Sequence, residues 1–143
     1  MLIIRPTANL AKRMNVRLEK VDFNSTTKLG DWYANDLVLE RRQFILLVNS
    51  GSRLGIIMEA APYASFPSRF PNILEKILAS IGVNRTGIDC EMEQMNEIRL
   101  AKTADRSVMG TLNDYCKSFR YVAAIDRLKI NDPISMSLWI SET

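Results

Sequence analysis

The stretch "KTADRSVMGTLNDYC", residues 102–116, gathers the side chains best suited to chemistry. Arg106 is a fixed cation and Ser107 a hydroxyl donor, while Asn113 and Asp114 add an amide and a carboxylate two turns further on. At a helix start, free backbone N–H groups and the helix dipole favour an anion, so the 105–107 segment could hold a small polar or anionic ligand. A plainer use exists for the same residues. Asp105 or Ser107 caps the helix, and Gly110, which costs a helix interior about 1 kcal/mol relative to alanine, lets another backbone approach closely. Both readings stand at this point.

A second set lies in "DWYAND" and "ERR": Asp31, Trp32, Asn35, Arg41 and Arg42. Aromatic, amide and guanidinium groups of this kind anchor interfaces and stack on bases. They serve equally as a core tryptophan and a solvated turn, and strand alternation puts Arg41 and Arg42 on opposite faces. A third set, Asp89, Glu91, Glu93 and Glu97, has the ligand type for Mg²⁺ but no companion cluster, which suits a solvated acidic face. "GSRLG" at 51–55 lacks the lysine and hydroxyl of a phosphate loop and reads as a hairpin turn.

The composition closes several routes. The chain contains no histidine, so Ser–His–Asp and Cys–His mechanisms and histidine metal centres are excluded. Acid–base chemistry would fall to carboxylates, lysine or tyrosine, which tilts the expectation away from an enzyme. Cys90 and Cys116 form no C-x-x-C pair; they read as reduced thiols, Cys116 in the core. No cofactor and no metal site is expected. The net charge of +3 keeps nucleic acid or an acidic partner in view without selecting either. No run of residues approaches a membrane span and the N-terminal apolar run is too short for a signal peptide, so a cytoplasmic protein is expected.

The elements that must position these residues follow from periodicity. The 143 residues fit a single domain. "LIIR" reads as a short strand and "PTANLAKRM" as a short helix begun by Pro6. "WYANDLVLE", "QFILLV" and "LGIIMEA" read as an antiparallel three-strand meander, reversed at Arg41-Arg42 and at "NSGS". "APYASFPSRFP", with three prolines, reads as an exposed loop and "NILEKILASIG" as a helix over 72–82 stopped by Gly82. "GIDCEMEQMNEIRLAKT" is ambiguous, with a strand favoured at its end. Residues 106–127 form a long helix burying Val108, Leu112, Cys116, Phe119 and Ala123, and Asp132 caps a C-terminal helix begun by Pro133. The expected fold is α+β: an antiparallel sheet of about four or five strands with two main helices packed on one face.

Taken together, "MLIIRPTANLAKRM", "DWYAN…RRQFILLVN" and "RSVMGTLND" resemble, in kind and order, a family of small uncharacterised bacterial proteins. The resemblance covers about positions 1–125, and its R-S-V-x-G-x-x-N-D segment is its most specific part. That pattern often has histidine where this chain has Tyr33. The resemblance implies a bacterial, phage or plasmid origin, marks Trp32, Asn35, Arg41, Arg42, Arg106, Ser107, Asn113 and Asp114 as binding residues, and draws attention to Gly110 beside them. With the exclusions above, it suggests a non-enzymatic macromolecule-binding protein with a protein partner, of toxin–antitoxin or anti-defence type. The alternative is a nucleic-acid-binding protein or nuclease using Arg41, Arg42, Arg106, Lys117 and Arg120. A small-molecule or anion binder at the 105–107 helix start is the third reading, and homo-oligomerisation stays open.

Overall fold

The computed structural model describes residues 1–21, 25–125 and 133–142. Its sheet has the strand order β4-β3-β2-β1-β5, with β1 Leu2–Pro6, β2 Trp32–Leu39, β3 Arg42–Asn49, β4 Gly55–Glu59 and β5 Ile98–Leu100. The meander is present as expected: β2 pairs antiparallel with β3, and β3 with β4. The turn between β2 and β3 is Glu40-Arg41, both at positive φ (48° and 67°), the type I′ pattern whose twist matches that of the strands.

The sheet as a whole is mixed, which corrects the antiparallel expectation. β1 lies between β2 and β5 and runs parallel to both. The chain leaves β1 through helix α1 (Ala8–Met14), capped by the Thr7 hydroxyl, before returning to β2. A crossover of that kind allows parallel pairing, and the short apolar run of β1 carries no signal of strand direction.

A second correction concerns the layers. Helix α2 (Phe66–Ser80) packs on one face against Trp32, Ala34, Ile45, Leu47, Ile56 and Met58. Helix α4 (Arg106–Ile125) packs on the opposite face against Tyr33, Leu37, Phe44, Leu46, Val48 and Ile57. The two main helices therefore cover both faces rather than one. The physical reason is visible in "QFILLV": Phe44 through Val48 is buried without a break, so neither side of β3 meets water.

Helix α2 begins six residues before the expected 72. "SFPSRFP" is helical because Phe66 and Phe70, one turn apart, both enter the core, where Phe70 meets Trp32 edge-on with ring centroids 5.0 Å apart. Pro67 sits in the first turn, where its missing N–H costs nothing, and Pro71 lies one turn further in. Arg69 holds the chain leading into the helix by donating to the carbonyls of Glu59, Ala60 and Pro62. The ambiguous stretch divides into helix α3 (Arg85–Glu93) and β5. Its one buried acid, Glu91, accepts from the backbone N–H groups of Lys28 and Leu29 and so anchors a loop.

Helix α5 (Pro133–Glu142) starts at Pro133 as expected, while the Asp132 cap and positions 126–127 of the long helix lie outside the described residues. The edge strand β4 is blunted by α5, whose Ser137 hydroxyl accepts from Ile57 N at 2.8 Å. Gly55 permits this approach, because a Cβ there would stand 3.0 Å from Ile140 Cγ2 and from the Tyr115 ring. Among the described residues no helix is long and apolar enough to cross a membrane.

Candidate functional site

Charged residues inside an apolar strand must find partners, and "LIIRP" holds one. Arg5 is buried, and its Nε donates to Asp31 Oδ2 at 2.8 Å while Nη1 donates to the carbonyl of Lys102. Asp31 Oδ1 accepts from Ser25 N and Ser25 Oγ, so the carboxylate is satisfied on both oxygens. This pair ties β1, the entry to β2 and the segment after β5 together. It also forms one wall of a cleft of about 430 Å³.

The opposite walls come from two connections. The β3–β4 turn contributes Ser50 and Gly51, held by Asn49, whose side-chain amide donates to the carbonyls of Leu29 and Asp31. The link into α4 contributes Ala104 and Asp105. Asp105 Oδ1 accepts from Ser107 N at 2.8 Å and Val108 N at 3.3 Å, so Asp105 is the cap. Tyr33 lies between these walls. It is 3% exposed, and its hydroxyl accepts from Asp105 N at 2.9 Å.

Beside the cleft, Arg53 stands at φ 65° and reaches back to α4. Its Nη2 donates to Ser107 Oγ at 3.2 Å and its carbonyl accepts from the Tyr115 hydroxyl at 2.8 Å. Ser107 is thereby a strut between the turn and the helix.

From its first turn, α4 carries a second feature. Arg106, Gly110, Asn113, Asp114, Lys117, Arg120 and Tyr121 are all exposed and fall within an arc of about 120° along the helix. Gly110 has no heavy atom within 4 Å of a Cβ built on it, so the expectation that it accommodates a packed neighbour is corrected. Among the described residues, nothing packs there.

The sequence-derived residues thus separate into groups. Arg106, Asn113 and Asp114 lie together on the outer face of α4, and Ser107 sits at its start. Trp32 is fully buried in the other layer, its Nε1 without a partner among the described residues. Asn35 is half-buried; its Oδ1 accepts from Thr7 Oγ1, and it also hydrogen-bonds the Cys116 thiol. Burial pushes that thiol above its ordinary pKa, against the opposing pull of the Arg120 charge and the Asn35 hydrogen bond. Arg41 is the exposed turn residue, while Arg42 pairs with Glu59 at 2.8 Å and covers the Phe44 ring on the far side of the hairpin. Arg41 and Arg42 are therefore remote in chain position and in the sheet from the cleft.

Residues 3–143 match a family described as domain of unknown function DUF6933. The chain belongs to that family. No curated protein and no solved structure matches it. Membership of an uncharacterised family, as expected, is thereby shown. Arg5, Tyr33 and Ser50 of this DUF6933 chain were not reached from the sequence. The available signal was Arg5, a charge within a strand whose neighbours are all apolar.

Proposed function

We propose that this protein is a non-enzymatic binding protein that docks a macromolecular partner along the outer face of α4. One observation carries the reading: Gly110, in the second turn of a twenty-residue helix, packs against nothing among the described residues. A helix interior loses about 1 kcal/mol to such a residue, and among the described residues no contact compensates. The gap admits a partner's backbone or side chain to within contact of the helix. Around it stand Arg106, Lys117 and Arg120 against the single acid Asp114, with Tyr121 69% exposed at the far end. That balance favours an acidic protein surface as the occupant. The setting we propose for this partner is a bacterial or phage mobile-element system, the origin that the resemblance implies.

Nucleic acid is the second reading, favoured by the same three cations. Salt separates the two, since phosphate-driven binding weakens steeply between low and moderate ionic strength. The test is capture with the full chain, compared with Gly110→Gln and with an Arg106→Glu/Lys117→Glu/Arg120→Glu variant. Because the space beside Gly110 is open, Gly110→Gln leaves the fold intact and reads docking alone. The expected result is a protein recovered by the parent chain and lost with both variants. Equal recovery by all three chains would refute the proposal, and a shift of labelled DNA or RNA that disappears with added salt would replace it with the second reading.

A further inference from the structure

The cleft at Arg5, Asp31, Tyr33, Ser50 and Asp105 presents hydrogen-bonding capacity that the described residues leave unused. Arg5 is 7% exposed, and with Nε and Nη1 engaged its Nη2 has no partner among the described residues. The Tyr33 hydroxyl accepts backbone N–H groups from Asp105 and Ala104, which leaves its own proton without an acceptor among those residues. Both side chains line the cleft, so two donors on deeply buried groups face one space. Donors of this kind that open onto a cleft are available to a ligand or to ordered water.

The chemistry of that ligand follows from the lining. Two donors match the two oxygens of a carboxylate. Asp105 spends Oδ1 on the α4 cap, and its second oxygen has no partner among the described residues. Arg5 and Asp31 offset each other at 2.8 Å, so the lining retains the one negative charge of Asp105. A phosphate dianion would meet that charge unfavourably, whereas an ammonium group would meet it well. A volume of about 430 Å³ falls in the small-ligand range. We propose that this cleft binds a small amino-acid-like zwitterion, its carboxylate held by Arg5 Nη2 and the Tyr33 hydroxyl and its ammonium by Asp105. Ser50 adds a hydroxyl to the wall.

Gly110 is not among the residues that line the cleft, so Gly110→Gln tests the docking face apart from this site. Its test is a nuclear magnetic resonance titration of the full chain with L-serine, L-glutamate, lactate and inorganic phosphate. Saturable shifts of the Tyr33 ring and of the Gly30, Ser50 and Gly51 amides are expected with the amino acids and none with phosphate. Asp105→Asn keeps an effective helix cap while removing the charge, and should weaken amino-acid binding about tenfold or more while sparing lactate. Tyr33→Phe should weaken the amino acids and lactate alike. The proposal is overturned if no probe moves these resonances at millimolar concentration, if phosphate binds best, or if Asp105→Asn leaves amino-acid affinity unchanged.

Discussion

Replacing Asp31 by alanine tests whether the buried Arg5–Asp31 pair organises the cleft. Both side chains are 8% exposed, and the carboxylate accepts from Arg5 Nε at 2.8 Å and from Ser25 N and Oγ at 2.9 and 2.7 Å. Removing one member of such a pair leaves the other charge buried and unpaired, at a cost of about 3–5 kcal/mol. The total stability expected of a chain this long is about 7–20 kcal/mol, so the variant should still fold. With a urea m-value of roughly 2 kcal/mol/M, the denaturation midpoint should fall by about 2 M. Asp31→Asn, which keeps the shape but turns an N–H donor toward donors, should fall between alanine and the parent. The double replacement Arg5→Met/Asp31→Leu should recover part of the loss, because no isolated charge remains. A loss below about 1 kcal/mol for Asp31→Ala would refute the reasoning, since it would mean that Arg5 reaches water once its partner is gone.

Two glycines should respond in opposite directions. Gly110→Ala has open space around its new methyl and should stabilise the fold by about 1 kcal/mol, read as a higher midpoint with the m-value unchanged. Gly55→Ala places a Cβ 3.0 Å from Ile140 and the Tyr115 ring and should destabilise by about 1–3 kcal/mol in the same assay. Among the thiols, exposed Cys90 should react with an aromatic disulfide reagent in the native protein and buried Cys116 only after unfolding. Burial raises the folded pKa of Cys116, so the unfolded chain releases this proton first. The stability tied to that thiol is therefore full below about pH 8.5 and declines above it, a decline that Cys116→Ala should remove.

Periodicity and turn chemistry located most elements. The meander, its two reversals, the long helix and the start at Pro133 could be read because each depends on residues close in the chain. What local pattern lacks is the identity of the neighbour. The parallel pairing of β1 with β2 and β5 depends on where the crossover sets the strand down, and nothing in five residues encodes it. The proline-rich 63–71 segment reads as loop because propensity alone opposes a helix, and the burial of Phe66 and Phe70 outweighs that preference.

For the site, the sequence by itself determined part of the chemistry that is closed off: without histidine, Ser–His–Asp and Cys–His arrangements and histidine metal centres cannot be built. It also determined that Arg106, Gly110, Asn113 and Asp114 lie along one helix, since helical spacing alone settles that. Tertiary structure alone decided that Gly110 faces open space, that Trp32 belongs to the opposite layer, and that Arg5, Tyr33, Ser50 and Asp105 meet around one cleft. The physical reason is that a cleft is formed by ends of separate elements. From one to the next, those ends stand between 17 and 55 residues apart in the chain, and only the packing of both sheet faces brings them to one cleft.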